Sequence, residues 1–268
     1  MDHAVTQLRN YILDTYRFDP GDQHVRDAIA ALGLEHKFHP VCDYLDGLKW
    51  DGIKRIETWL TTVFGAEDNA YTRAVGRLWL LAAVRRVRHP GCKFDTALMF
   101  EGKQGIAKSK ALRILAVNDV WFSDIDVLGL PMKEQIELTE GTWINELGEM
   151  ESVRRGKENE KIKAYLSRQR DKSRMAYGHL TETRPRQCVF AGTINYEQYL
   201  KDETGSRRYW PIATNGEANL EWLREWRDQL WAEANEAEKT LSLTGRSRRR
   251  SRKSGWWRIR GWRRCAIV

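Results

Sequence analysis

This chain has no paired cysteines, no histidine cluster, no long apolar run and, after residue 240, no acidic side chain. Each absence narrows the function. Cys42, Cys92, Cys188 and Cys265 are scattered, without C-x-x-C spacing. That argues against a zinc module or a disulfide framework and points to a reducing, cytoplasmic compartment. The longest apolar run, LWLLAAV at 78–84, is far short of the roughly 20 residues that cross a bilayer. The N-terminus shows no secretory pattern, so neither membrane nor export is expected.

A basic body is also lacking. The net charge is +8, but residues 241–268 hold nine Arg and one Lys, and residues 1–240 hold 35 basic against 37 acidic side chains. The cationic excess is confined to an Arg/Trp-rich tail with no helical or strand period. Like charge with little apolar content predicts a disordered segment, and its abrupt bias also fits a frameshifted end.

The rest of the chain has regular patterns. HAVTQLRNYILDTY, VRDAIAALGLEH and RAVGRLWLLAAVRRV carry apolar residues at helical spacing. HPVCDYLDGLKWDG reads as a loop-rich connection. Beyond HPGCK, short apolar runs alternate with helical patterns. FDTALMFEG, VWFSD, TWINELGEM, RQCVFAGTIN and RRYWPI read as strands, and SKALRILA and ENEKIKAYLSRQ as helices. That alternation predicts an α/β fold, a parallel sheet flanked by helices. The expected organisation is an N-terminal helical region over 1–94, a core over 95–215, a C-terminal helix over 216–240 and the tail over 241–268. Leu220, Leu223, Trp226, Leu230 and Trp231 form the buried stripe expected of that helix.

The segment FEGKQGIAKSKALRIL, residues 100–115, approaches the phosphate-loop pattern G-x-x-x-x-G-K-[ST]. In that pattern small residues admit phosphate oxygens to backbone N–H groups, lysine reaches the β/γ-phosphates and the hydroxyl holds Mg²⁺. Here Gly102, Lys103, Gln104, Gly105, Ile106, Ala107, Lys108, Ser109 and Lys110 are the candidate nucleotide-binding residues, with alanine at the second glycine position. A Gly/Lys-rich turn is the plainer alternative.

Hydrolysis also needs a carboxylate, a γ-phosphate sensor and a cation. Glu146, ending an apolar strand, is the candidate for metal and water activation, with Ser109 as the second metal ligand. Asn195, with Thr193 before it, ends the next strand. Arg207 and Arg208 are candidate cations for a neighbouring subunit's nucleotide. Alone, each has an ordinary reading as a loop acid, a turn former or a solvated pair.

Together with IKAYLSRQRDKSRMAYG and TGSRRYWPI, these segments resemble the virulence-associated E family of phage and mobile-element proteins, whose ATPase module is similar to superfamily 3 helicases. The resemblance is dense over 44–212. Departures are Ala107 for glycine, Ile194 where threonine is commoner, and Ser206 where asparagine is usual. The resemblance implies a P-loop NTPase fold of AAA+/superfamily 3 type, ATP with Mg²⁺, a hexameric ring, and a hairpin gripping single-stranded DNA. The basic residues of 161–186, among them Lys163, Arg170, Arg174 and His179, are the candidate DNA contacts. The alternative for this segment is a solvated amphipathic helix and loop. No primase-like metal constellation stands in the first ninety residues. The expected function is an ATP-dependent DNA helicase or translocase of phage or mobile-element replication. Its rival is a DNA-binding or interference protein without productive turnover. A small-molecule kinase is disfavoured because it has no need of the basic segment.

Overall fold

The structure is a computed structural model that describes residues 2–148, 156–174, 181–194 and 208–250. Two compact units emerge, residues 1–43 and 44–268. In the first, α1 (Asp2–Tyr16) packs on α2 (Gly21–Glu35), with Val5 and Val25 buried. Arg9 bonds Asp19 and Asp22 at 2.7 and 2.8 Å across the intervening turn. The stretch read as a loop-rich connection contains a helix instead, α3 (Pro40–Gly47). Val41 and Leu45, one helical turn apart, are both buried, and Pro40 suits a first helical position because it has no N–H to leave unpaired.

The second unit is built on a five-stranded parallel sheet: β1 (Ala97–Glu101), β2 (Phe122–Ser123), β3 (Ile144–Leu147), β6 (Val189–Ile194) and β7 (Tyr209–Ala213). The order is β2-β3-β6-β1-β7. Strands β4 (Arg170–Arg174) and β5 (Thr181–Pro185) form a separate antiparallel pair. Strand–helix alternation therefore produces the parallel sheet expected of it.

Alternation along each strand sorts side chains to two faces. On one, Ala97, Met99, Leu147, Phe190 and Ile194 form a core with Ile162, Tyr165 and Leu166 of α8 (Gly156–Ser167). The other face is covered by α5 (Ala70–Arg88) and α6 (Lys108–Leu115), on which α9 (Leu220–Arg250) packs in turn. Phe100 lies there, its ring 4.3 Å from that of Phe64 in α4 (Trp59–Phe64).

Three tryptophan N–H groups tie these layers together, as buried indole donors usually find an acceptor. Trp79 donates to the Phe190 carbonyl at 2.9 Å, Trp143 to Ala83 at 3.0 Å and Trp231 to Leu115 at 2.9 Å. Of the α9 stripe, Leu223, Leu230 and Trp231 are buried, while Leu220 and Trp226 are partly so. Helix α9 continues to Arg250, and residues 251–268 lie outside the described residues.

Strand β7 is an edge among the described strands. Arg208 and Thr214 both hydrogen-bond toward β1, so by strand alternation Tyr209, Pro211 and Ala213 turn their backbone groups to the side away from β1.

Candidate functional site

The chain leaves β1 for β2 at one edge of the sheet, and β7 returns on the opposite side of β1. The crevice beyond the carboxyl ends of strands at such a reversal is where open α/β sheets bind ligands. The loop 102–107 fills this position between β1 and α6.

The loop is held by backbone. Gly102 N–H donates to the Ile194 carbonyl at 3.1 Å, and Thr214 N–H and Oγ1 both donate to the Glu101 carbonyl, at 2.7 and 2.8 Å. A Cβ on Gly102 would stand 1.9 Å from Thr214 Oγ1, so close approach requires glycine here. Gly105 has φ +86. Ala107, at the position where the pattern calls for glycine, is left-handed, with φ 64 and ψ 28. A β-carbon in that region costs roughly 1–2 kcal/mol. Ala107 is also the N-cap of α6 and supplies no side-chain cap. The first-turn N–H groups, which have no partner within a helix, thus open on the loop.

Lys108 is buried, and its Nζ donates to the carbonyls of Gly102 at 2.7 Å and Lys103 at 3.3 Å. Ser109 Oγ donates to Glu146 Oε1 at 2.8 Å. Thr193 Oγ1, near the end of β6, reaches the same oxygen at 3.4 Å. Glu146 is only 4% exposed, and its Oε2 is buried without a hydrogen-bond partner among the described residues. Burial pushes the Glu146 carboxyl above its ordinary range, opposed by the Ser109 hydrogen bond, while the Asp124 charge adds to the rise. Asn145, beside it in β3, faces the other way: its Nδ2 donates to Thr142 Oγ1 at 2.9 Å.

The structure thus brings Lys108, Ser109 and Glu146 together. Lys103, Gln104 and Lys110 are exposed around them, and Ile106 holds Ala218 N–H through its carbonyl at 3.1 Å. Arg208 is elsewhere. It precedes β7 and lies 3.6 Å from Asp95, at the amino end of the sheet, roughly 16 Å of strand from the loop. Asn195 and Arg207 lie outside the described residues. The sequence reading missed Asp124 and Arg113, which pair at 3.2 Å. Asp124 follows WFS on β2 as Glu146 follows WIN on β3, and the ladder pairing Ser123 with Asn145 brings the two acids level. That parallel was the available signal.

The basic segment 161–186 folds as the end of α8 followed by the β4–β5 pair, rather than as a helix and loop. Several of its cations turn inward. Lys163 is buried with Nζ 3.0 Å from Glu160, because α8 packs the adjacent Ile162 onto the sheet and carries this stem with it. Arg168 binds Gln135 at 2.8 Å, Arg184 pairs with Glu140, and Arg186 pairs with Asp171. Arg170 and Lys172 of β4 are exposed. Arg174 pairs with Thr181 in the ladder, and His179 lies outside the described residues.

Among the described residues no group of three or more His, Cys, Asp or Glu is placed to hold a metal, and no helix is long and apolar enough to cross a membrane. No curated protein matches the chain. Among solved structures, it is similar to the apo NrS-1 C-terminal region (305–718), with 17% identity over 73% of this chain and 47% of that one, at a TM-score of 0.44. An A-form apo structure of the same region gives 15% identity, 71% and 47% coverage, and a TM-score of 0.48. The chain therefore spans about half the length of those structures. A model of the virulence-associated protein E-like domain matches residues 45–253, and the chain belongs to that family.

Proposed function

We propose that this protein is a P-loop ATPase that acts on single-stranded DNA during replication of a phage or mobile element. The observation that carries this reading is the 2.8 Å contact of Ser109 with Glu146, beside a buried lysine in a glycine loop at the reversal point of a parallel sheet. In this reading the loop N–H groups and Lys108 hold the β- and γ-phosphates. The Ser109 hydroxyl and the unpartnered Glu146 oxygen suit a hard, oxygen-seeking cation such as Mg²⁺. When bound, that ion would neutralise charge developing on the phosphates. Glu146, with its raised proton affinity, orients the attacking water, and Thr193 fixes the carboxylate.

Arg208 lies at the amino end of the sheet, too far from its own loop to serve it, which supports a role toward a neighbouring copy in a ring, ATP being bound between subunits. Arg170 and Lys172, exposed on β4, are the better candidates for DNA phosphates than Lys163. ATP hydrolysis by the purified protein, with and without single-stranded DNA and beside Lys108→Ala, tests the reading. DNA-stimulated turnover lost in the variant supports a motor.

A second reading is a module that binds without turning over. It is favoured by the left-handed Ala107 and by the tie of Lys108 Nζ to its own loop's carbonyls. Absence of turnover in the wild-type protein, with DNA affinity indifferent to ATP, would select it.

A further inference from the structure

Arg186 has no part in the site described above, yet it is among the most heavily engaged side chains in the molecule. It is 7% exposed. Its Nη2 donates to Asp171 Oδ1 at 2.9 Å and its Nε to Asp171 Oδ2. Nη1 donates to the Tyr165 carbonyl of α8 at 2.6 Å. The guanidinium also lies over two rings, 4.1 Å from the centroid of Tyr165 and 5.8 Å from that of Phe190 in β6. Its backbone is fixed too, N–H to the Gln169 carbonyl and C=O from Gly91 N–H, both 2.9 Å. Asp171 belongs to β4, and Arg186 directly follows β5.

We infer that Asp171 and Arg186 are positioning residues that fasten the base of the β4–β5 hairpin to α8 and β6, so that hairpin and strand move as one body. Near the other end of β6 is Thr193, whose Oγ1 lies 3.4 Å from Glu146 Oε1. Three residue steps, about 10 Å of strand, separate that contact from Phe190. A rigid strand braced at both ends connects the carboxylate to the hairpin. As a route from DNA to hydrolysis, this rests on the proposed function; as a mechanical brace it does not.

A lone Asp171→Ala would leave a buried cation unpaired and risks misfolding. The informative variant is the double replacement Asp171→Leu/Arg186→Met, since apolar substitutes for a buried ion pair are often tolerated. Arg186→Lys, which keeps the charge but loses the planar fork, is its companion. Amide hydrogen exchange of the full chain, without ligand, reads the brace. In the wild-type protein the amides of 171–174 and 182–184 should be protected as one unit with those of β6. In the double variant the hairpin amides should lose at least about tenfold protection while β6 keeps its own. Single-stranded DNA stimulation of ATPase should fall toward unity, with basal turnover within about twofold of wild type. Unchanged hairpin protection overturns the inference, as does full stimulation with a loosened hairpin. If DNA fails to stimulate the wild-type enzyme, the proposed function falls, and the exchange arm still decides on the brace.

Discussion

Ser109 and Glu146 are 37 positions apart in sequence and 2.8 Å apart in space. The first turn of α6 is thereby joined to β3, and one carboxylate oxygen is engaged while the other is buried with no hydrogen-bond partner among the described residues. Glu146→Gln keeps the size and the acceptor for Ser109 but removes the negative charge. Turnover should fall by about 100-fold or more, in the range of lost acid–base assistance, while ATP affinity stays within about threefold. Steady-state hydrolysis and nucleotide titration of the same preparation check this. Turnover near wild type would remove Glu146 from the chemistry.

The same carboxyl makes stability depend on pH in a definite direction. Its folded pKa is raised above the ordinary 4.5, so the folded state keeps its proton to higher pH than the unfolded chain does. Stability from this group therefore falls as pH rises from 4.5 through the raised value. Glu101, raised by burial in the same way, adds a parallel slope. The test is thus a difference: denaturant midpoints of wild type minus Glu146→Gln should decline from acid toward neutral pH. A flat difference contradicts the burial argument.

Lys108→Ala should leave the fold intact, because the carbonyls its Nζ binds, those of Gly102 and Lys103, belong to its own loop. What it should lose is stabilisation by nucleotide. At ligand near 100 times Kd, binding contributes about 2.7 kcal/mol to the wild-type protein. A thermal shift with Mg-ATP that persists undiminished in the variant would place the phosphates elsewhere.

Ala107→Gly relieves a left-handed alanine worth roughly 1–2 kcal/mol, offset by up to about 1 kcal/mol of added unfolded-chain entropy. The expected net gain is roughly 0.5 kcal/mol in urea denaturation. A clear loss would mean that the methyl makes a compensating contact.

Gly102→Ala drives a methyl into Thr214 Oγ1, whose position is set by bonds to the Glu101 carbonyl. The substitution should cost about 1–3 kcal/mol, and most of that cost should disappear in a Thr214→Ala background. A double-mutant cycle measures the coupling; additive effects would show that the loop yields by another route.

The elements of the sheet were legible in the sequence because each strand is a short apolar run bounded by turn residues, and the phosphate-loop pattern made Lys108 and Ser109 candidates beside Glu146, whose carboxylate does meet Ser109. Other features were not legible. Val41 and Leu45 give α3 only one turn of apolar spacing, too little to outweigh Asp51 and Gly52 nearby. The fate of a cation depends on its partner. Arg186, Arg168 and Arg184 look like Arg170 in sequence, but each is claimed by an acid or amide folded against it. Asp124 was passed over because β2 is only two residues long. Its significance comes from lying level with Glu146, a register that no linear pattern encodes.

Pro211 sits in the middle of the outward-turned positions of β7, where it offers no N–H. A strand from another molecule laid along this edge would meet a missing donor at the centre of its ladder. Among the described strands, the β7 side is thereby made a poorer template for extension. Along that edge, one residue without an N–H interrupts the row of donors that a neighbouring strand would need.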